Sequence, residues 1–87
     1  MFVGNSTDKI KDCFLILGSN ISKCRKDRKM TLEELGFRIG LDKSAIFHIE
    51  NGKPITITTL LKIAMAMEAD VCIFFENFPK LKRKDLA

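Results

Sequence analysis

Residues 31–53, TLEELGFRIGLDKSAIFHIENGK, constrain the fold more than any other part of the chain. Thr31 and Glu34 have the spacing of a capping box, which predicts that a helix begins at about residue 32. Gly40 readily adopts the left-handed conformation that ends a helix, so this helix should stop at about residue 39. Asp42 can cap a further helix, which Asn51-Gly52 would end. The segment therefore predicts two short helices, about 32–39 and 43–50, that meet at a tight turn.

Helical periodicity and caps also predict the flanking elements. Apolar residues spaced by three and four from Ile10 to Cys24 predict a first helix at about 8–29, in which Gly18 allows a bend or a close neighbour. Thr56 can cap a fourth helix, about 57–68, and Asp70 a fifth, about 71–77. The inward side chains expected of the fourth helix are Ile57, Leu60, Leu61, Ala64 and Met67.

The predicted fold class is all-α, a compact five-helix domain over residues 1–78. Runs 55–57 and 71–75 are rich enough in β-branched residues to suit strands, but the caps favour helices. Residues 79–87 are expected to form a basic, polar, frayed C-terminal tail.

Length and composition exclude several classes of protein. A chain of 87 residues forms one small domain, and its 46% apolar and 30% charged residues are typical of globular proteins. Uninterrupted apolar runs reach four or five residues, against roughly 20 for a membrane span. The N-terminus lacks the pattern of a signal peptide, so we expect a cytoplasmic protein.

The sequence contains few residues of the types that bind metals or catalyse reactions. The chain has one histidine, His48, and three cysteines with no C-x-x-C pair. Free packed thiols are the main interpretation of Cys13, Cys24 and Cys72, with redox sensing and a metal site as alternatives. No phosphate-binding loop is present. We expect no metal, no cofactor and no enzymatic activity.

The positive charge is concentrated near the two ends of the chain. The net charge is +4, and the densest cluster of cations runs from Lys23 to Lys29. A solvated helix end explains this cluster as well as a phosphate-facing patch does, so charge alone leaves both interpretations open.

The two central helices have the spacing of a helix-turn-helix, whose second helix enters the DNA major groove. Leu35, Ile39, Ile46 and Ile49 would form its core, and Gly36 would allow close helix crossing. The sequence resembles the lambda-repressor/Cro-type helix-turn-helix proteins, the XRE family, over about residues 17–76. The matching motifs, in order, are I-x-x-x-R at 21–25, T-x-E-E-L at 31–35, Gly40 with Ser44, I-x-x-I-E-N-G-K at 46–53 and T-L-L-K-I-A at 59–64.

The resemblance implies a set of DNA contacts. Base-reading positions fall on Lys43, Ser44 and His48, and Phe47 would touch a thymine methyl or the sugar-phosphate wall. A solvated or core histidine is the alternative for His48. Phosphate contacts fall on Thr31, Leu32 through its amide, Asn51, Lys53, Thr56 and Arg28. Leu32 stands where the family usually has Gln, and Ile39 where Ala is common.

Two further expectations concern charge pairing and self-association. Arg25 and Glu50 fall where the family often has a buried ion pair, with two surface charges as the alternative. The last predicted helix is rich in large apolar residues, and the alternative that all of them fill the small core stays open. An exposed remainder predicts a symmetric dimer through this helix and the fourth helix. The predicted interface residues are Val71, Phe74, Phe75 and Phe78.

The resulting functional hypothesis is a homodimeric, sequence-specific transcriptional regulator that binds a palindromic operator in double-stranded DNA through helix 43–50. The short length and the IFFE ending are similar to restriction–modification controller proteins, and a phage-type repressor or an orphan regulator is the alternative. RNA polymerase is a further partner that such a role would involve. The alternative function is an antitoxin that binds a partner toxin and its own promoter.

Overall fold

The computed structural model describes the backbone of residues 6–86 and the side chains of residues 8–86. Within that range the chain forms helices α1 (Ser6–Asp27), α2 (Leu32–Ile39), α3 (Lys43–Glu50) and α4 (Ile57–Met67). Two 3₁₀ helices follow, at Val71–Phe75 and Arg83–Leu86, and none of the described residues is in a strand. The all-α prediction is confirmed. Residues 1–5 and 87 of the predicted domain and tail lie outside the described residues.

Local capping fixes α2 and α3 at the predicted bounds. The Thr31 hydroxyl accepts a hydrogen bond from the Glu34 amide at 3.0 Å, and the Glu34 carboxylate accepts one from the Thr31 amide at 2.7 Å. These bonds lower the pKa of the Glu34 carboxyl below its usual value. Asp42 caps α3 by accepting from the Ala45 amide at 2.8 Å. Gly40 ends α2 with a φ of 79°, in the left-handed region.

The predicted bounds of α1 are two residues off at each end, because the helix spans 6–27 rather than 8–29. Lys29 adopts a φ of 55°, and the Met30 amide donates back to the Arg25 carbonyl at 3.1 Å. This closing bond ends α1 before residue 29. Farther up the helix, a Cβ on Gly18 would lie 2.5 Å from the Ile49 carbonyl oxygen, so Gly18 permits close packing against α3.

The predicted fifth α-helix, about 71–77, is wrong. A five-residue 3₁₀ helix, Val71–Phe75, stands in its place, so the described chain has four α-helices rather than five. The Asn20 side-chain amide donates to the carbonyls of Phe74 and Glu76, both at 2.8 Å. A continuing α-helix would need those carbonyls as acceptors, and Pro79 disfavours helical geometry just before it.

The core lies between α1, α2, α3, α4 and the first 3₁₀ helix. Each fully buried aliphatic or aromatic side chain there contributes on the order of 1.5–3 kcal/mol by removal from water. The side chains with essentially no exposure are Ile21, Leu35, Ile46, Ile63 and Phe74.

Helix α4 buries a narrower face than its sequence suggests. Leu60, Ala64 and Met67 are buried as predicted. Ile57 and Leu61 were expected to point inward, but they are 66% and 42% exposed. Their outward position corrects the prediction, because the neighbouring elements cover only one side of the helix.

The C-terminal tail is more ordered than expected. Instead of fraying, it forms the 3₁₀ helix Arg83–Leu86, which lies against α1. The Lys82 amide donates to the Asp85 carboxylate at 2.9 Å, and Leu81 and Leu86 line a shallow groove beside Ile10.

Candidate nucleic-acid interface

Helix α3 divides its side chains between the core and the solvent. Ile46 and Ile49 are buried against the other helices, which fixes the rotation of α3 about its axis. The four predicted base-contacting residues are exposed on the remaining surface of the helix: Lys43, Ser44, Phe47 and His48. The structure therefore gathers these four side chains on one short helix, free of the core.

Two aromatic rings give this surface a defined shape. Phe47 and His48 meet edge to face, with ring centroids 5.6 Å apart and an angle of 72° between the planes. Phe47 is 51% exposed, although phenylalanine side chains are usually buried. The exposed side of α3 thus presents an ammonium, a hydroxyl, an imidazole and an apolar ring, which can bond base edges and contact a thymine methyl.

A buried ion pair ties α1 to the end of α3. Arg25 donates from Nε and Nη2 to the two carboxylate oxygens of Glu50, at 2.7 and 3.0 Å, and from Nη1 to the Met30 carbonyl at 2.7 Å. The two side chains are 10% and 6% exposed, so the alternative of two surface charges does not hold. The hydrogen bonds to Glu50 raise the pKa of the Arg25 guanidinium above its usual value.

The predicted phosphate contacts lie on several elements, and Leu32 and Asn51 line the same cleft as Phe47 of α3. Thr31 and Leu32 lie at the first turn of α2, where helix amides lack intrahelical acceptors. Lys53 is exposed in the turn after α3. Two of the predicted polar groups already have intramolecular partners. Asn51 donates from its side-chain amide to the Phe47 carbonyl at 2.8 Å, and Thr56 donates from its hydroxyl to the Thr59 hydroxyl at 3.1 Å.

Arg28 has a structural position that the sequence did not reveal. Its Nε donates to the Met67 carbonyl at 2.7 Å, and its Nη1 contacts the Cys24 sulfur at 2.9 Å. The guanidinium therefore joins the end of α1 to the end of α4. Those two nitrogens are engaged there while the residue stays exposed, so the phosphate contact of Arg28 stays a prediction.

The predicted dimer residues have unequal exposure. Phe74 is completely buried in the core, so its assignment to an interface is corrected. Val71 and Phe78 are half-buried and pack against the core. Phe75 remains 40% exposed, and its ring contacts that of Phe78 at a centroid distance of 5.1 Å.

The more exposed part of this apolar surface lies on α4, the fourth helix of the predicted dimer interface. Ile57, Leu61 and Met65 follow each other at intervals of four on α4 and all point outward. Ile57 also lines a small apolar groove together with Phe75 and Phe78. We call Ile57, Leu61, Met65 and Phe75 the apolar stripe. The sequence signal for the apolar stripe is that α4 has more apolar residues than one inward face of the helix can hold.

The cysteines do not form a cluster. Cys13 and Cys24 are buried thiols, and Cys72 is exposed. Burial raises the pKa of the Cys24 thiol, which disfavours its reactive thiolate. In the part of the chain that the structure describes, no three His, Cys, Asp or Glu residues are arranged to hold a metal ion. Within residues 6–86, none of the helices combines the length and the hydropathy of a membrane span.

Comparison with known proteins gives a family match and a match to a solved structure. The helix-turn-helix family model HTH_3 matches residues 21–73, which include α2, α3 and α4. Among solved structures, the restriction–modification controller protein C.AhdI from Aeromonas hydrophila superposes with a TM-score of 0.72 and 24% sequence identity. That match covers 75% of this chain and 96% of the controller protein. No curated protein sequence matches the chain.

Proposed function

The chain belongs to the XRE-type helix-turn-helix family of DNA-binding regulators, and on that premise we propose that it recognises a specific palindromic operator as a homodimer. In this proposal α3 lies in the major groove. Lys43 and Ser44, at its first turn, meet base edges, and His48 follows one turn later.

The exposed face of α3 is the observation that carries the proposal. Burial of Ile46 and Ile49 fixes the rotation of the helix, so its exposed polar side chains start from a fixed face of α3. Lysine can donate to guanine O6 and N7, and serine can donate or accept at either base pair. Sequence recognition needs such pre-positioned groups, because phosphate contacts alone carry no base information.

The apolar stripe supports the dimer. Met65 is 74% exposed and Ile57 66%, and side chains of this kind on a soluble domain commonly mark an interface. A twofold axis beside α4 would place the apolar stripe of one protomer against the apolar stripe of its partner. If the two α3 helices then lie ~34 Å apart, the half-sites would be about one turn of DNA apart.

The likeness to a restriction–modification controller protein supports a narrower proposal, namely that this chain controls its own promoter. The match covers 96% of the structural neighbour and 75% of this chain. Contact with RNA polymerase would decide between activation and repression.

Selection from randomised duplex DNA at about physiological ionic strength tests the operator, because weak phosphate-only binding is suppressed there. We expect enrichment of a palindromic sequence. The matched variant Lys43→Ala should enrich a consensus that is degenerate at one base pair of each half-site. If the folded wild-type protein enriches no sequence, specific recognition is refuted, and a role in binding a partner protein such as a toxin becomes the leading hypothesis.

Sedimentation of the protein tests the dimer separately. Met65→Glu places a charge within the apolar stripe and should yield monomers. Leu81→Glu is the matched control, because Leu81 is 59% exposed and lies outside the stripe. An unchanged dimer in Met65→Glu, or equal dissociation of both variants, would contradict this interface.

A further inference from the structure

The first turns of α1 carry an apolar face beyond the part of the helix that the core covers. Cys13, Leu17 and Ile21 are buried on the inner face of α1, at helical spacings of four. Ile10 continues that face one turn earlier, but its side chain is 49% exposed. The core therefore leaves apolar surface uncovered near the start of α1.

The C-terminal segment lies beside Ile10 in a conformation that its own hydrogen bonds define. The Lys82 amide donates to the Asp85 carboxylate at 2.9 Å, and the Asp85 amide donates to the Lys82 carbonyl, also at 2.9 Å. Leu81 and Leu86 lie on either side of this turn and are 59% and 75% exposed. With Ile10 they line a groove of about 300 Å³, which we call the terminal groove.

Positive charge surrounds the apolar part of the terminal groove. Lys9, Lys82 and Arg83 all line it. Among the described residues, none of these three side chains has an ion-pair partner. Asp85 also lines the groove, but its carboxylate already accepts a hydrogen bond from the Lys82 amide. The groove therefore suits an occupant that is both apolar and anionic.

The shape of the terminal groove narrows the class of occupant. No strand is present in residues 6–86, so these residues offer no sheet edge to an extended peptide. Proline-rich peptides dock in grooves lined by aromatic rings, whereas the described residues that line this groove include no aromatic side chain. Its apolar side chains also line a depression, whereas a lipid layer takes up an apolar face that projects into it. The mode that remains is an amphipathic helix laid in a groove.

We propose that the terminal groove binds an acidic amphipathic helix of a partner protein. Apolar side chains of that helix, spaced by three or four residues, enter between Ile10 and the two leucines. Its carboxylates face the cations at the rim of the groove. The proposal is independent of operator recognition, because the groove lies on α1 and the C-terminal segment, whereas the proposed base contacts lie on α3. The groove also lies outside residues 21–73, which the family model matches.

Selection from a library of displayed random peptides tests the proposal. The peptides need a length of about 16 residues, enough for about four helical turns. The library is selected on the full-length protein at about physiological ionic strength. We expect enrichment of peptides with a net negative charge and apolar residues at helical spacing. A peptide of the same composition in scrambled order is the control for attraction by charge alone.

Variants then locate the binding site of the enriched peptide by fluorescence anisotropy. Ile10→Glu and Leu86→Glu should each weaken binding by at least ~10-fold, because the new carboxylate would be buried by an acidic ligand. Phe37→Glu is the matched control, since Phe37 is 87% exposed on α2 and lies outside the groove, and it should bind as the wild type does. The double variant Lys82→Gln/Arg83→Gln should weaken binding at low salt and differ less from the wild type at high salt.

Three results would overturn the assignment. The first is that no acidic amphipathic peptide is enriched. The second is that Phe37→Glu loses as much affinity as Ile10→Glu, with thermal melts showing both variants folded. The third is that the wild type binds vesicles of phosphatidylserine and phosphatidylcholine, and no peptide, through Ile10, since the occupant would then be a lipid surface. Operator binding by Ile10→Glu should be unchanged, so failure of this proposal is distinguishable from failure of DNA recognition.

Discussion

Removal of Glu50 should destabilise the whole domain. The Glu50 carboxylate accepts two hydrogen bonds from Arg25, and its side chain is only 6% exposed. Glu50→Ala would leave the buried guanidinium with the Met30 carbonyl as its remaining acceptor. Loss of one partner of a buried pair costs ~3–5 kcal/mol in the free energy of unfolding.

That loss is large for a domain of this size. Small domains have unfolding free energies of about 5–15 kcal/mol, so Glu50→Ala should lose much of the stability. For 60–100 residues, each kcal/mol lowers Tm by roughly 4–8 °C, which predicts a decrease of at least ~12 °C. Urea denaturation followed by far-UV circular dichroism measures the change, and an unchanged m-value confirms that the unfolding transition remains comparable.

Two controls isolate the burial of the pair. Asp27→Ala breaks the Lys23–Asp27 pair, which has an N–O distance of 3.0 Å but side chains 77% and 62% exposed, and should lower the free energy of unfolding far less than Glu50→Ala does. The double variant Arg25→Met/Glu50→Met removes both charges and should be more stable than Glu50→Ala. The reasoning is refuted if Glu50→Ala costs no more than Asp27→Ala, or if the double variant is the less stable protein.

Three further predictions test the fold and the interface. Gly18→Ala should destabilise the domain by about 1–3 kcal/mol in chemical denaturation, because the added Cβ would lie 2.5 Å from a backbone oxygen of α3. Ser19→Ala, at the exposed neighbouring position, is the control and should be neutral or stabilising. The pKa of the Glu34 carboxyl is lower in the folded state than its ordinary value of 4.5. The ionised carboxylate therefore stabilises the fold at pH values above 4.5, and this stabilisation is lost as the pH falls through the folded-state pKa. Glu34→Gln should therefore reduce the loss of Tm on acidification, and an identical pH profile would contradict this. Lys43→Ala should cost ~1–3 kcal/mol of binding on the operator and relax one base position, whereas Lys53→Ala should weaken all duplexes equally; equal losses on every sequence from both changes would refute base reading by Lys43.

The central helices could be predicted from sequence because their signals are local. The side chains of Thr31 and Asp42 bond amides three residues away, so their effect depends little on the rest of the fold. Gly40 ends α2 for an equally local reason, its left-handed φ. The resemblance to a known family added the Arg25–Glu50 pair, which no local pattern indicates.

The last predicted helix failed because distant groups decide its conformation. Residues 71–77 follow a good cap at Asp70 and contain enough apolar residues for a helix. Asn20, more than fifty residues earlier in the chain, takes the carbonyls of Phe74 and Glu76. The same packing buries Phe74 and leaves Phe75 exposed, which sequence periodicity could not distinguish.

The candidate interface divides in the same way. The sequence by itself determined that α3 has a polar face, because Ile46 and Ile49 share one side of any helix through them and Lys43, Ser44 and His48 are left on the rest. Only the tertiary structure decided which members of the basic cluster remain available. Arg25 and Arg28 bond groups on α3 and α4, and these partners are near them only after the helices have packed.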